Sequence, residues 1–152
     1  MRHRPMILAL LMSAAMPLSS IAQESPAGRW RTVDDATGKP KSIVEIYPAK
    51  DGRYAGKVVE ILDLKDGPDP RCDQCKGDNR DKPIKGMVIL WGLEPDGTGE
   101  WSGGHVLDPE NGKTYKSKLA MRDGGRLDMS GCIAFLCRTQ TWSRARGADL
   151  AR

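Results

Sequence analysis

Four cysteines and one histidine outside the N-terminal leader are the residues whose chemistry must be weighed first. Cys72-Asp-Gln-Cys75 fits three roles: redox pair, zinc half-site or structural staple. A thioredoxin-type pair needs a helix N-terminus after a strand to lower the thiol pKa, whereas Pro68, Asp69, Pro70 and Gly77 mark this segment as loop. Zinc needs four ligands, commonly as two Cys-x-x-Cys units, and Cys132 and Cys137 have the wrong spacing. The staple fits best. Four cysteines allow three pairings. Proximity favours Cys72–Cys75 and Cys132–Cys137, the second clamping a tight hairpin.

His105 would serve a hydrolytic triad only beside a Ser or Cys and a carboxylate. No Gly-x-Ser-x-Gly elbow is present, and the nearby Ser102 has opposite strand parity. A single imidazole is also a poor basis for transition-metal binding. Asp108-Pro-Glu-Asn-Gly112 groups two carboxylates and an amide, but an EF-hand loop is longer and alternates its acidic residues. Pro and Asn-Gly pre-set a turn, which explains the same residues more simply. The sequence thus predicts no enzyme, no metal site and no cofactor.

The elements that position these residues begin after an export signal. Arg2, His3 and Arg4 precede an apolar run, Met6 to Met16, then Pro17 and the small-residue site Ser20-Ile21-Ala22, the three parts of a secretory leader. The run is well short of the ~20 residues that span a bilayer, and no Cys follows it to carry a lipid. The expected organisation is a signal peptide over 1–22, one domain over 23–145 and a disordered tail over 146–152. The expected location is the periplasm or the exterior, where disulfides persist. The leader holds two of the 24 basic residues and no acidic one, which leaves 22 basic against 20 acidic residues, interleaved along the chain. There is no basic stripe for nucleic acid and no basic amphipathic helix for a membrane surface. Stable membrane insertion is therefore not expected, and charge names no protein partner.

Helical periodicity is nearly absent after the leader. Eight β-rich runs alternate with turn residues: 28–33, 41–48, 53–62, 86–93, 99–107, 113–121, 126–132 and 138–144. Lys50-Asp51-Gly52, Asp96-Gly97 and Asp123-Gly124-Gly125 are hairpin signals. Eight consecutive antiparallel strands can close into an up-and-down barrel with an interior for side chains or one small ligand. Trp30, Trp91, Trp101 and Trp142 are expected to supply the buried area in a chain with one Phe. Alternation along strands turns Trp30 and Thr32 inward, and likewise Tyr115, Ser117, Leu119 and Met121. It places Trp101, Gly103, His105 and Leu107 on one face, and Arg138, Gln140, Trp142 and Arg144 on another.

Two resemblances follow from particular residues. Gly28-x-Trp30 with a basic residue late in the last strand resembles the lipocalin and wider calycin pattern. That pattern implies Trp30 packed at a closed barrel end under an Arg of the final strand, here Arg144, with Arg138 as the second candidate. Next, Gly28-x-Trp30, Lys41-Ser-Ile-Val44, Cys72-x-x-Cys75, Pro83-Ile-x-Gly86-Met87, Leu107-Asp-Pro-x-Asn-Gly-Lys-Thr-Tyr115 and Thr139-Gln-Thr-Trp142-x-Arg144 stand in one order. This order resembles the secreted bacterial domain-of-unknown-function family 2147. The resemblance implies a lipocalin-like barrel outside the cytoplasm and no assigned activity.

The function expected from these readings is non-catalytic binding of a small amphipathic or acidic molecule. Trp101, His105, Tyr115, Gln140 and Trp142 would form its walls, with Arg138 near one mouth. The alternatives are a filled barrel, in which Glu60 neutralises Arg138, and an envelope interaction module acting through the stapled loop 63–85.

Overall fold

The computed structural model describes residues 25–147, so the leader and the end of the tail lie outside the described residues. Eight strands follow one another: β1 (Gly28–Val33), β2 (Pro40–Pro48), β3 (Tyr54–Ile61), β4 (Val88–Pro95), β5 (Glu100–Asp108), β6 (Lys113–Arg122), β7 (Arg126–Ile133) and β8 (Leu136–Arg144). Each pairs antiparallel with the next, and β1 closes on β8 through Trp30 opposite Arg144 and Arg31 opposite Ser143. The result is a closed up-and-down barrel, in which no strand keeps an unpaired edge. The β3–β4 connection is the long one and holds a single turn of 3-10 helix, Gly77–Asn79.

Inward-facing apolar residues fill the lower barrel. Trp30, Val44, Leu90, Leu93 and Leu127 are fully buried, with Trp142 at 2 % exposure. The end that carries the short β2–β3, β4–β5 and β6–β7 turns is plugged. There Trp30 donates its indole N–H to the Pro26 carbonyl at 2.8 Å, and the Arg144 guanidinium lies 4.4 Å above the Trp30 ring. Arg144 Nη1 also donates to the Ala27 carbonyl at 2.9 Å. Gly28 permits this: its φ is +127°, and a Cβ there would run into the guanidinium. Trp101, buried beside Leu119 across the sheet, meets the edge of Tyr54 with ring centroids 6.1 Å apart.

Two expectations about faces need correction. Trp91 is 37 % exposed on the outer wall and adds little to the core. His105 stacks on it there, centroids 5.7 Å apart, and so does not share the inner face with Trp101. The cause is a β-bulge. The β5–β6 register shifts between Trp101 and Gly104, where Gly103 takes φ +74°. One extra residue inverts the alternation beyond it, so Gly104 and Val106 become the buried residues that flank His105.

Candidate functional site: a cavity at the open end

The other end of the barrel is open. The β1–β2 loop, the β3–β4 connection, the β5–β6 turn and the β7–β8 turn all contribute to a cavity of about 530 Å³. Its deeper wall is apolar, with Val58, Ile61, Ile89, Val106, Met129 and Trp142 facing in from five strands. Its rim carries Asp35, Asp63, Asp66, Asp108 and Glu110 against Lys41, Lys65 and Arg138, an excess of acid.

A hydrogen-bonded chain fixes the β8 side of the rim. Trp142 Nε1 donates to Gln140 Oε1 at 2.9 Å, which leaves the Gln140 amide N–H to donate to Asp35 Oδ1 at 2.6 Å. Arg138 Nε stands 3.3 Å from Asp35 Oδ2. Asp35 thereby neutralises Arg138, in place of Glu60, and Arg138 remains 80 % exposed at the mouth. The β8 face shared by Arg138, Gln140, Trp142 and Arg144 thus sends its two arginines to opposite ends of the barrel and buries only Trp142. On the adjoining β1 and β2 wall, the buried Thr32 and Ser42 hydroxyls bond to each other at 2.8 Å.

On the opposite rim, Glu110 accepts from Lys41 at 2.8 Å and Lys65 at 3.3 Å. The Lys41 hydrogen bond, helped by Lys65, holds the Glu110 carboxyl below its ordinary range against partial burial, and Glu110 in turn raises the Lys65 ammonium. These pairs join β2, the start of the β3–β4 connection and the β5–β6 turn. The connection is braced a second time where its Gln74 carbonyl packs against Gly112, leaving no room for a Cβ. Cys72 and Cys75 are bonded at the centre of this brace, with Cα atoms 5.3 Å apart and both residues buried. Pro70 and Ile84 of the same segment turn toward the cavity. The stapled loop is therefore part of the mouth. Cys132 and Cys137, bonded with Cα atoms 4.0 Å apart, face each other across β7 and β8 and clamp the last hairpin.

Of the residues singled out from sequence, Tyr115, Arg138, Gln140 and Trp142 line the cavity. Trp101 and His105 do not: the first lies deeper, in the packed core, and the bulge turns the second outward. Sequence reasoning missed Asp35 and the pairing of Glu110 with Lys41 and Lys65, groups that converge only once the barrel closes. Ser117 adds a feature no pattern signals. It is 1 % exposed and its hydroxyl has no hydrogen-bond partner, while its inner-face neighbours Tyr115 and Gly131 both line the cavity. Among the described residues, no three His, Cys, Asp or Glu side chains are grouped to hold a metal ion. Nor is any described helix long and apolar enough to cross a membrane.

Comparison with known proteins agrees with this architecture. No match was found among curated protein sequences. A solved structure described as "Protein HP1028 from the human pathogen Helicobacter pylori belongs to the lipocalin family" superposes with a TM-score of 0.69. The match covers 82 % of this chain and 85 % of that one at 22 % identity, which speaks to the fold alone. Residues 28–144 match the family described as "Uncharacterized protein conserved in bacteria (DUF2147)", a span that runs from the first residue of β1 to the last of β8. The chain belongs to that family, and its barrel is lipocalin-like.

Proposed function

We propose that this protein is an exported, non-catalytic carrier of a small amphipathic molecule, held with its apolar part in the barrel and its polar head at the rim. The observation that carries the reading is the division of one 530 Å³ cavity into an apolar wall and a charged mouth. Small-molecule pockets have volumes of about 300–1,000 Å³ and few, placed polar groups. Arg138 already has Asp35 as partner and the rim has more carboxylates than cations, so a neutral or zwitterionic head fits better than an acidic one. Export is supported by the leader pattern and by two disulfides of the kind that persist in oxidising compartments. A binding role in place of catalysis is supported by His105, which stacks outside the cavity.

Trp142 alone of the four tryptophans lines the cavity, so it reports occupancy. Titration with lysophosphatidylcholine below its micelle concentration should change the emission saturably, and Trp142→Phe should remove most of the response. A linear, unsaturable response in wild type would refute the pocket. Native mass spectrometry of protein taken from its own envelope should show a bound mass that denaturation releases.

A further inference from the structure

Among the described residues, the three most exposed large apolar side chains fall together. At the tip of the β7–β8 hairpin Ile133 is 65 %, Phe135 90 % and Leu136 69 % exposed. Phe135 is the only Phe of the chain, and the turn gives up its burial altogether. The tip is not a loose loop. The Cys132–Cys137 bond closes its base, and Ala134 holds φ +50° at its apex, so the backbone that presents the three side chains is ordered before contact, which lowers the cost of docking. Ile133 and Leu136 also line the cavity. The exposed apolar surface is therefore continuous with the inner wall.

We propose that this hairpin tip docks reversibly on a lipid surface and that the cavity exchanges its amphipathic ligand with that surface. The second clause rests on the reading of the cavity given above. Size decides between a membrane and a protein partner. Three side chains expose on the order of 400 Å², about half of the ~800 Å² that each partner gives to a stable protein interface. A second copy of this chain meeting tip to tip would bury too little to persist. A bilayer requires no matching shape: apolar side chains sink into the headgroup boundary, and binding scales with their area. The acid excess of the neighbouring rim disfavours an anionic surface and points to a zwitterionic one. The attachment is hydrophobic in origin, so added salt leaves it in place.

The test is flotation of the protein with phosphatidylcholine vesicles. Wild type should float, at low and high salt alike. Phe135→Asp should lower the vesicle-bound partition about tenfold, from loss of one buried aromatic side chain and gain of a charge. Phe135→Trp should retain binding and show a blue-shifted emission with vesicles present. Phe135 is almost fully exposed, so both variants should fold and titrate with lysophosphatidylcholine as wild type does in vesicle-free buffer. Wild type that stays at the bottom of the gradient overturns the proposal, as does flotation indifferent to Phe135→Asp. A Phe135-dependent dimer in sedimentation velocity without vesicles, or loss of lysolipid titration in Phe135→Asp, overturns it as well. Phe135-dependent flotation without any lysolipid response would leave docking standing and remove the ligand exchange.

Discussion

Removing Arg144 tests the closed end of the barrel with a magnitude that can be worked out contact by contact. The guanidinium sits 4.4 Å from the Trp30 ring centre and donates to the Ala27 carbonyl at 2.9 Å. Arg144 is solvent-exposed, so the cation–π contact belongs at the exposed end of the scale, about 0.5–1 kcal/mol. The hydrogen bond adds about 1 kcal/mol, since water can replace the donor at a partly exposed carbonyl. Arg144→Ala should therefore destabilise by about 1.5–2 kcal/mol, a fall in Tm of roughly 5–10 °C for a domain of this size. Urea melts with unchanged m-value would measure it. A second perturbation separates contact from composition. In Gly28→Ala the new Cβ occupies the guanidinium position, so Arg144 must swing away and lose both contacts, and the +127° backbone adds about 1–3 kcal/mol of strain. In the double variant the Arg144 contribution can be lost only once. The two changes should thus be sub-additive by about 1.5 kcal/mol. Strict additivity, or an Arg144→Ala variant within 0.3 kcal/mol or so of wild type, would refute the packing argument.

Two further outcomes follow from the mouth. Replacing both Cys132 and Cys137 by Ser should cost about 2 kcal/mol by the loop-closure estimate for so short a loop, read in urea melts, and hydrogen exchange should quicken in the β7–β8 tip before the rest of the barrel. Glu110, its carboxyl held low chiefly by Lys41, contributes stability that is present above the ordinary glutamate value and lost as pH falls through its lowered one; the acid limb of wild-type stability below pH 4.5 should be steeper than that of Glu110→Gln, and superimposable limbs would exclude this linkage.

Strands and their order are legible in this sequence because each hairpin carries its own local chemistry. Asp-Gly and Asn-Gly turns punctuate runs of alternating residues, and consecutive antiparallel pairing requires nothing from distant sequence. The failure of parity that misplaces a candidate site residue lies in β5, although the register also shifts between β2 and β3 and between β3 and β4. A Ser-Gly-Gly step at 102–104 is the signal of a bulge, and counting alternate residues straight through it turns His105 inward on paper. The cavity is legible on β8, where Gln140 and Trp142 accompany an inward stripe, and opaque in the loops. Asp35 reaches Gln140 across 105 residues of chain, and Glu110 meets Lys41 only because the open-end connections converge. Such contacts depend on barrel closure and on the path of the β3–β4 connection. Neither leaves a periodic trace. The exposure of Phe135 is likewise invisible to pattern reading, which assigns an aromatic to the core by default.

The closure of β1 on β8 bears on how the chain must fold. Every other pairing in the barrel joins neighbours in sequence, so six hairpin steps can proceed with short loops and small entropic cost, and a seventh spans the longer β3–β4 connection. The eighth joins Arg31 to Ser143, a loop of over a hundred residues that a flexible chain would close at about 4 kcal/mol in entropy, a cost the preformed hairpins reduce. Trp30 lies on one side of that seam and Arg144 on the other, so the indole acquires its guanidinium cover only when the ring shuts. A chain halted before β8 is consequently not a smaller barrel. It is an open, curled sheet with two unsatisfied edges and an uncovered tryptophan, a template for pairing with other chains. The last strand thus converts an aggregation-prone ribbon into a barrel without free edges, and its arrival can be timed by the fluorescence of the residue it covers.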